Sequence, residues 1–228
     1  MTKIIQPSYT TKLPSNNKTV TFRPFTVKEE KALLLALQEN DLYTVANTIR
    51  NTVLACTDGQ VDPDKTAYYD TEYLFLQIRS KSIGEDLELV GKCDCGPNST
   101  SEFTVDVTSA KIVGAITKNT FKIPETIYTV SMRHPTLIDF VTALEDKKSS
   151  GINSVASCIT SVYSDEEVYD WSDKEKLEFV ESMSPKQQRE INAFIDAMPT
   201  VQLDASFVCV HCGKKHTQQL SGFENFFV

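Results

Sequence analysis

Cys93-Asp94-Cys95-Gly96 and Cys209-Val210-His211-Cys212-Gly213 are two short cysteine motifs that lie in opposite halves of the chain. Polar and apolar residues alternate on both sides of the first motif, which is typical of two strands joined by a tight turn. In both motifs a glycine follows the second cysteine, where such a turn needs a residue that tolerates positive φ. The sequence therefore predicts two β-hairpins whose turns present four thiols to one metal ion: those of Cys93, Cys95, Cys209 and Cys212.

The four thiols point to a structural zinc site. Zinc accepts four sulfur ligands tetrahedrally, and a soft thiolate set favours it over magnesium or calcium. The Cys-x-x-Cys motif has the usual ligand spacing, whereas Cys-x-Cys makes a tighter chelate ring. Free thiols and a disulfide are the alternatives, and His211 or His216 could replace one cysteine as a ligand. A disulfide fits poorly, because the six cysteines show no small-domain disulfide framework.

The composition is that of an acidic globular protein. The chain has 228 residues, of which 40% are hydrophobic, and a formal net charge of −8, which suits one large domain or two small ones. Its acidity disfavours nucleic acid as a partner. No stretch approaches the roughly 20 apolar residues that span a bilayer, and the first residues lack the apolar core of a signal peptide. We therefore expect no membrane span and a cytoplasmic location.

The pattern along the chain predicts an α+β fold with four segments. Residues 1–18 are polar, which indicates an N-terminal arm that is ordered only where it docks. Residues 19–84 predict a short strand followed by a helical part, and residues 131–199 predict a second helical block. This block is inserted between the two cysteine motifs, so that residues 85–130 and 200–228 form a zinc-ribbon-like β platform closed by the metal.

Seven helices are predicted from apolar periodicity and capping residues. They cover residues 26–37, 41–56, 68–80, 136–147, 153–163, 172–182 and 184–198. The apolar run at 32–37 covers more than one face of the first helix, which predicts a helix buried against several neighbours. A strand is predicted at 121–130, interrupted at Pro124. Cys56 and Cys158 lie in apolar, helix-like surroundings, as expected of buried packing residues.

The sequence predicts no catalytic site. The histidines are His134, His211 and His216, and four thiolates around a zinc ion leave no open coordination position. The carboxylates fall on predicted loops and helix surfaces, and no phosphate-cradling glycine loop is present. We therefore expect a protein that is not an enzyme, and a metal-dependent hydrolase remains a further hypothesis.

The C-terminal tail is aromatic. Phe223, Phe226 and Phe227 lie in the last six residues, and such side chains are costly to leave in water. Two interpretations have similar weight: these three residues bind another chain, or the tail packs back onto its own core.

Three parts of the chain resemble the T4-like bacteriophage baseplate hub assembly family: the stretch from Phe22 to Ala36, the first cysteine motif, and the ending that leads from Cys209 to Phe227. The most distinctive part is the Arg-Pro-Phe entry into a Glu-Glu-Lys helix, whereas residues 110–190 match only as a helical block. The resemblance implies a non-enzymatic role in building the central hub of a contractile-tail baseplate, as a hub component or as a chaperone that leaves.

The resemblance also implies other tail and baseplate hub proteins as partners, and it leaves oligomer formation open. It implies assembly in the host cytoplasm, with or without a final place in the virion baseplate. The alternative from another class is a zinc-ribbon protein that binds nucleic acid or acts in transcription.

Overall fold

Helices and short antiparallel sheets alternate along the chain. The computed structural model describes residues 4–39, 41–114, 118–145, 151–165 and 167–226. The strands are β1 (Tyr9–Lys12), β2 (Thr19–Phe22), β3 (Asp86–Lys92), β4 (Thr100–Asp106), β5 (Lys111–Val113), β6 (Thr120–Lys122), β7 (Thr129–Met132), β8 (Ile159–Tyr163), β9 (Val168–Tyr169), β10 (Thr200–Val208) and β11 (Lys215–Leu220). The helices are α1 (Val27–Glu39), α2 (Leu42–Cys56), α3 (Tyr68–Ser82), α4 (Leu137–Glu145), α5 (Ile152–Cys158), α6 (Asp173–Glu181) and α7 (Pro185–Asp196).

The N-terminal unit is a β-hairpin followed by three helices. β1 pairs with β2, so part of the predicted N-terminal arm docks on the chain itself. Thr26 precedes α1 as predicted, and its backbone N–H and hydroxyl donate to the Glu29 carboxylate at 2.6 and 2.9 Å. The hairpin and the three helices share one core, which includes Val20, Leu33, Ile49, Val53, Leu74 and Phe75.

α1 is less buried than its sequence predicts. Its buried residues are Leu33 and Ala36, whereas Leu34 and Leu35 are each 49% exposed. The prediction that this helix is buried against several neighbours is therefore wrong for the chain by itself. α2 packs against one side of α1. Ala32, Leu34 and Leu35 of the apolar run are exposed, and Leu37 is half-buried.

The two cysteine hairpins pack together. β3 pairs with β4 and β10 pairs with β11, both antiparallel, as the sequence predicts. β5 adds to the other edge of β10. Their apolar faces meet α3 in a second core, which includes Leu76, Leu87, Val105, Val201 and Leu203. Segments from two distant parts of the chain thus become neighbours.

A four-stranded sheet with the order β6-β7-β8-β9 spans the predicted boundary between the β platform and the second helical block. The predicted strand at 121–130 is two strands, β6 and β7, joined by a turn after Pro124. Both belong to this sheet and not to the cysteine hairpins. In the structure, the predicted boundary at residue 130 therefore falls inside a sheet.

The prediction of one helix over residues 153–163 is wrong. α5 ends at Cys158, and the following residues form β8 along the edge of β7. The branched side chains of Ile159 and Val162 are both buried, and Val162 lies opposite Val130 of β7. Strand pairing with β7 therefore outweighs the helical apolar pattern.

The last two helices begin as predicted. Ser172 and Glu175 form a capping box at α6, and Ser184 and Gln187 form another at α7, with Pro185 at the first helical position. Within the described ranges, each helix is too short or too polar to cross a bilayer.

The structure contains an internal repeat that the sequence analysis missed. Residues 9–29 correspond to residues 119–139 without a gap, and in each case a β-hairpin leads through an arginine and a threonine into a helix. A second helix then ends at a cysteine. We call residues 9–56 the first repeat and residues 119–158 the second repeat.

The same backbone hydrogen bond ties the ends of each repeat together. The Arg23 N–H donates to the Cys56 carbonyl at 2.9 Å, and the Arg133 N–H donates to the Cys158 carbonyl at 2.8 Å. Both cysteine side chains are buried, as predicted. Burial raises the pKa of the Cys56 thiol to about 12 and that of Cys158 to about 11, so both thiols stay protonated at neutral pH.

An ion pair fixes the first helix of each repeat. Arg23 Nη2 lies 2.8 Å from Glu29 Oε1, and Arg133 Nη1 lies 2.5 Å from Asp139 Oδ2. Burial alone would raise the pKa of Glu29, but the hydrogen bonds from Arg23 and the preceding threonine lower it to about 2. The pKa of Asp139 is lowered in the same way against the effect of burial. Each carboxylate therefore stays ionised beside a helix N-terminus.

Candidate metal centre

The structure brings the four predicted cysteine ligands together. The Sγ atoms of Cys93, Cys95, Cys209 and Cys212 all lie within 4.8 Å of one another. The Sγ atoms of Cys93 and Cys212 are 3.7 Å apart, as are those of Cys95 and Cys209. Each of these close pairs joins one hairpin to the other, so the cluster connects the two distant motifs.

These distances fit a tetrahedral metal ion. Four sulfurs at the usual zinc–sulfur distance of about 2.3 Å lie about 3.8 Å from each other, close to the 3.7 Å of the two close pairs. A disulfide needs an S–S distance of about 2.0 Å, and the four cysteines are free thiols. In the part of the chain that the structure describes, neither His211 nor His216 belongs to the cluster.

The first cysteine turn is held by Ser99. The backbone N–H of Cys93 donates to the Ser99 carbonyl at 2.8 Å. The Cys95 thiol donates to the Ser99 hydroxyl at 3.2 Å. A Cβ atom added to Gly96 would lie 2.9 Å from the same hydroxyl oxygen. Gly96 does not have a positive φ, so the expectation of positive φ after the first motif is wrong. Glycine at this position instead leaves room for the turn that directs both thiols to one side.

The second cysteine turn closes on itself and contacts the first hairpin. The Cys209 N–H donates to the Lys214 carbonyl, and the Gly213 N–H donates to the Cys209 carbonyl, both at 2.9 Å. Gly213 has a φ of 72°, as its place after the second cysteine predicts. The Val210 N–H donates to the hydroxyl of Ser101 in β4 at 3.1 Å. The two turns are thus fixed relative to each other by a protein contact as well as by the cluster.

The turn also favours a thiolate at Cys209. Hydrogen bonds from the backbone N–H groups of Cys212 and His211 help to lower the pKa of this thiol to about 6. Thiolates are the form that binds a metal ion. In the same cluster the pKa of Cys93 and that of Cys212 are raised, each against a backbone hydrogen bond that lowers it, by burial and by hydrogen bonds with neighbouring thiols. The turn of the second motif therefore favours Cys209 as the first of the four thiols to ionise.

An aromatic stack supports the two hairpins beside the cluster. The Phe207 ring of β10 lies between Phe103 and His216, with ring centroids 5.0 and 4.7 Å away. A Cβ atom added to Gly91 of β3 would lie 2.3 Å from the Phe207 ring. β3 can approach β10 this closely only because residue 91 has no side chain.

Phe223 of the aromatic tail is buried in the first core. It packs edge-on against Tyr68 and Phe75, with ring centroids 5.3 and 5.6 Å apart. For this residue the structure shows packing onto the chain's own core. The Phe226 side chain and Phe227 lie outside the described residues, and partner binding by the tail stays a prediction.

An open apolar cleft of about 510 Å³ lies between α1, α2 and α4. Its lining includes Leu37, Val45, Ile49, Phe140 and Phe223. Among the described lining residues, Asp41 is the one carboxylate. The sequence analysis missed this cleft, although the leucine run of α1 was a signal for it.

These observations define a mixed α+β protein with an internal repeat and a four-cysteine cluster suited to a metal ion. The chain belongs to the T4 bacteriophage base plate protein family, whose model matches residues 6–228. This match confirms the resemblance to T4-like baseplate proteins and identifies a phage baseplate protein. A search of curated proteins gave no match, and neither did a search of solved structures.

Proposed function

We propose that this baseplate protein acts in assembly of the central hub, as a hub component or as an assembly chaperone. Membership of the baseplate family over residues 6–228 carries this proposal. In this role the chain binds other tail or baseplate hub proteins in the host cytoplasm, without enzymatic activity and without binding nucleic acid. Retention in the virion distinguishes the hub component from the chaperone.

The exposed apolar surface supports a binding role. Leu34, Leu35, Leu42 and Tyr43 are large hydrophobic residues that stay exposed on α1 and α2, beside the apolar cleft. Exposed apolar side chains beside an apolar cleft are typical of protein–protein contact sites.

We propose further that the cysteine cluster holds a structural zinc ion. Zinc bound by four thiolates supplies no open coordination position, so its contribution is to the folding free energy. Here it would cross-link the β3–β4 hairpin to the β10–β11 hairpin. The long chain segment between the two hairpins would then form a closed loop. The matching sulfur separations of 3.7 Å support this assignment.

Co-purification tests the hub role. The tagged chain, co-expressed with each hub protein of its phage in turn, should form a complex that survives gel filtration. The variant with Leu34→Lys and Leu35→Lys should lose most of this binding at an unchanged melting temperature, while Lys174→Glu on α6 serves as a charge-change control at a remote exposed site. Binding to none of the hub proteins would overturn the proposal. A salt-dependent gel shift with DNA or RNA would favour the nucleic-acid alternative instead.

Cys212→Ser tests the zinc site. This variant should lose the bound metal and about 10 °C or more of melting temperature, because structural metal binding contributes several kcal/mol to folding. Val210→Ser changes an exposed residue of the same turn and should keep the metal. Metal content is measured by mass spectrometry. A Cys212→Ser variant that keeps one equivalent of zinc would contradict the four-thiolate site.

A further inference from the structure

The two repeats differ in the structure that comes after their final cysteine. After Cys158 the chain continues as β8, which pairs antiparallel with the outer edge of β7. After Cys56 the chain instead turns at Asp58 and Gly59, whose φ values are 49° and 74°. Within the described residues, β1 and β2 therefore form a sheet of two strands, and no strand lies on the outer edge of β2.

The outer edge of β2 is formed by the backbone groups of Thr19 and Thr21. The Leu13 N–H donates to the Lys18 carbonyl, so every second residue from Lys18 onward faces β1, and Thr19 and Thr21 face away. Both threonines are exposed. In the second repeat the corresponding backbone groups, those of Thr129 and Ser131, pair with β8.

A single side chain takes the place of a strand at this edge. The Thr21 N–H donates to the side-chain oxygen of Gln60 at 3.2 Å, and Gln60 is itself exposed. A strand that replaced this contact would give Thr21 a main-chain partner and would also pair Thr19. Unpaired strand edges of this kind are common sites of strand addition.

We propose that the outer edge of β2 binds an extended segment of another protein, antiparallel to β2, as β8 binds β7. The pairing of β8 with β7 specifies the chemistry of this segment. Its middle residue is apolar and β-branched, like Val162, which is buried opposite Val130. The residue before it is small and uncharged, like Ser161, which lies opposite Ser131.

The exposed lysines at this end of the hairpin favour an acidic residue after the incoming strand, since the one carboxylate that the structure shows bound to the same turn, that of Asp70, is buried and accepts from Ser15. Lys12 and Lys18 are both exposed beside the β1–β2 turn, although the whole chain has a formal net charge of −8. A segment that follows the course of β8 would pass Lys18 just after its last paired residue. In the second repeat, Tyr163 is the last residue of β8 that pairs with β7, and Ser164 and Asp165 follow it in the sequence.

A peptide with the sequence of Ile159–Asp165 is the probe for this edge. Titrated into the isotope-labelled full chain, it should bind saturably and shift the amide resonances of Thr19 and Thr21. The same peptide N-methylated at Ser161 cannot donate the hydrogen bond opposite Thr21, so its affinity should fall about tenfold or more. Replacement of Asp165 by Lys in the peptide should also weaken binding, and more so at low salt.

Proline variants of the protein locate the site. Thr21→Pro removes the edge N–H and should weaken binding about tenfold or more. Thr10→Pro is the matched control on the outer edge of β1, because its counterpart β6 is itself an edge strand, and it should change the affinity less than about twofold. Gln60→Ala should leave the affinity unchanged or raise it. If Thr21→Pro does not fold, the N-methylated peptide makes the same test on the unaltered chain.

Three results would overturn the proposal: no saturable shift at Thr19 and Thr21, equal weakening by Thr21→Pro and Thr10→Pro, or shifts confined to β7 and β8. If the chain forms a dimer and Thr21→Pro abolishes it, the segment bound at this edge belongs to a second copy of the chain. That result would also contradict the proposal of a segment from another protein. The test does not depend on the hub role. A chain that binds no hub protein can still bind the peptide, and the reverse also holds.

Discussion

Glu29 is the residue at which the solution pH acts most directly on the first repeat. Its pKa is about 2 in the folded chain, against an ordinary value of 4.5. A lowered folded-state pKa contributes stability above pH 4.5, and this contribution is lost as the pH falls toward 2. The variant Glu29→Gln should therefore be less stable at pH 7 and should lose less stability than the parent between pH 4.5 and 2.

Urea unfolding at pH 7, 4 and 3 measures this difference. Glu125→Gln is the control, because the Glu125 side chain is 76% exposed at the turn of the second repeat. It should follow the parent at all three pH values. Parallel pH profiles for Glu29→Gln and the parent would show that the ion pair with Arg23 does not stabilise the fold.

Gly91 is a residue whose identity is explained by a close contact between two strands. A methyl group at this position would overlap the Phe207 ring, so Gly91→Ala should cost about 1–3 kcal/mol of unfolding free energy. Val90→Ala, at an exposed neighbouring position, should cost less than about 0.5 kcal/mol. In a double-mutant cycle, Phe207→Ala should remove most of the Gly91→Ala penalty. Additive effects in this cycle would contradict the proposed overlap.

At the residue scale, the sequence was most informative where chemistry restricts the residue type. The four cysteines and the glycine after the second motif were predicted in their places, because thiol geometry and positive φ each admit few alternatives. The Gly91–Phe207 contact could not be predicted. It joins residues far apart in the sequence, and a glycine within a strand pattern does not reveal which ring approaches it.

At the element scale, the starts of helices with capping signals were predicted well. The burial of the α1 side chains was not. α2, α6 and α7 begin where the sequence indicates, because caps and Pro at the first turn are local signals. α3 also begins at the predicted residue, although Ala67 before it makes no side-chain cap. β8 was mistaken for helix because its pairing with β7 is not local. The exposed leucines of α1 were mistaken for core residues, since composition alone cannot separate a core from a binding face.

α1 therefore provides a test at this scale. Leu33→Ala removes a buried side chain and should cost about 2–5 kcal/mol. Leu34→Ala and Leu35→Ala change half-exposed neighbours and should each cost less than about 1 kcal/mol, below the value for Leu33. Chemical denaturation of the three variants gives these values. Similar losses for all three would show that this face of α1 is buried in solution.

At the scale of the whole molecule, two kinds of interaction stabilise the fold: apolar cores with ion pairs, and the cysteine cluster. The repeats are stabilised by two apolar cores and by their ion pairs, and α4 of the second repeat contributes Leu137 and Val141 to the core of the first repeat. The cysteine cluster instead joins hairpins that are distant in sequence. The repeat could have been detected from the sequence by aligning Lys12-Leu13-Pro14 with Lys122-Ile123-Pro124 and Thr19-Val20 with Thr129-Val130. Few other positions are identical, since cores tolerate substitution of one apolar residue by another.

This separation predicts a local response to metal removal. Treatment with a strong chelator should increase amide hydrogen exchange in β3, β4, β10 and β11, because the clip between the two hairpins is lost. Exchange in β7 and β8 should change little, since their sheet packs in a different core. Cys212→Ser, treated in the same way, should show no further increase. Equal loss of protection in all these strands would mean that the metal stabilises the whole chain as one cooperative unit, and the two-part organisation would be wrong.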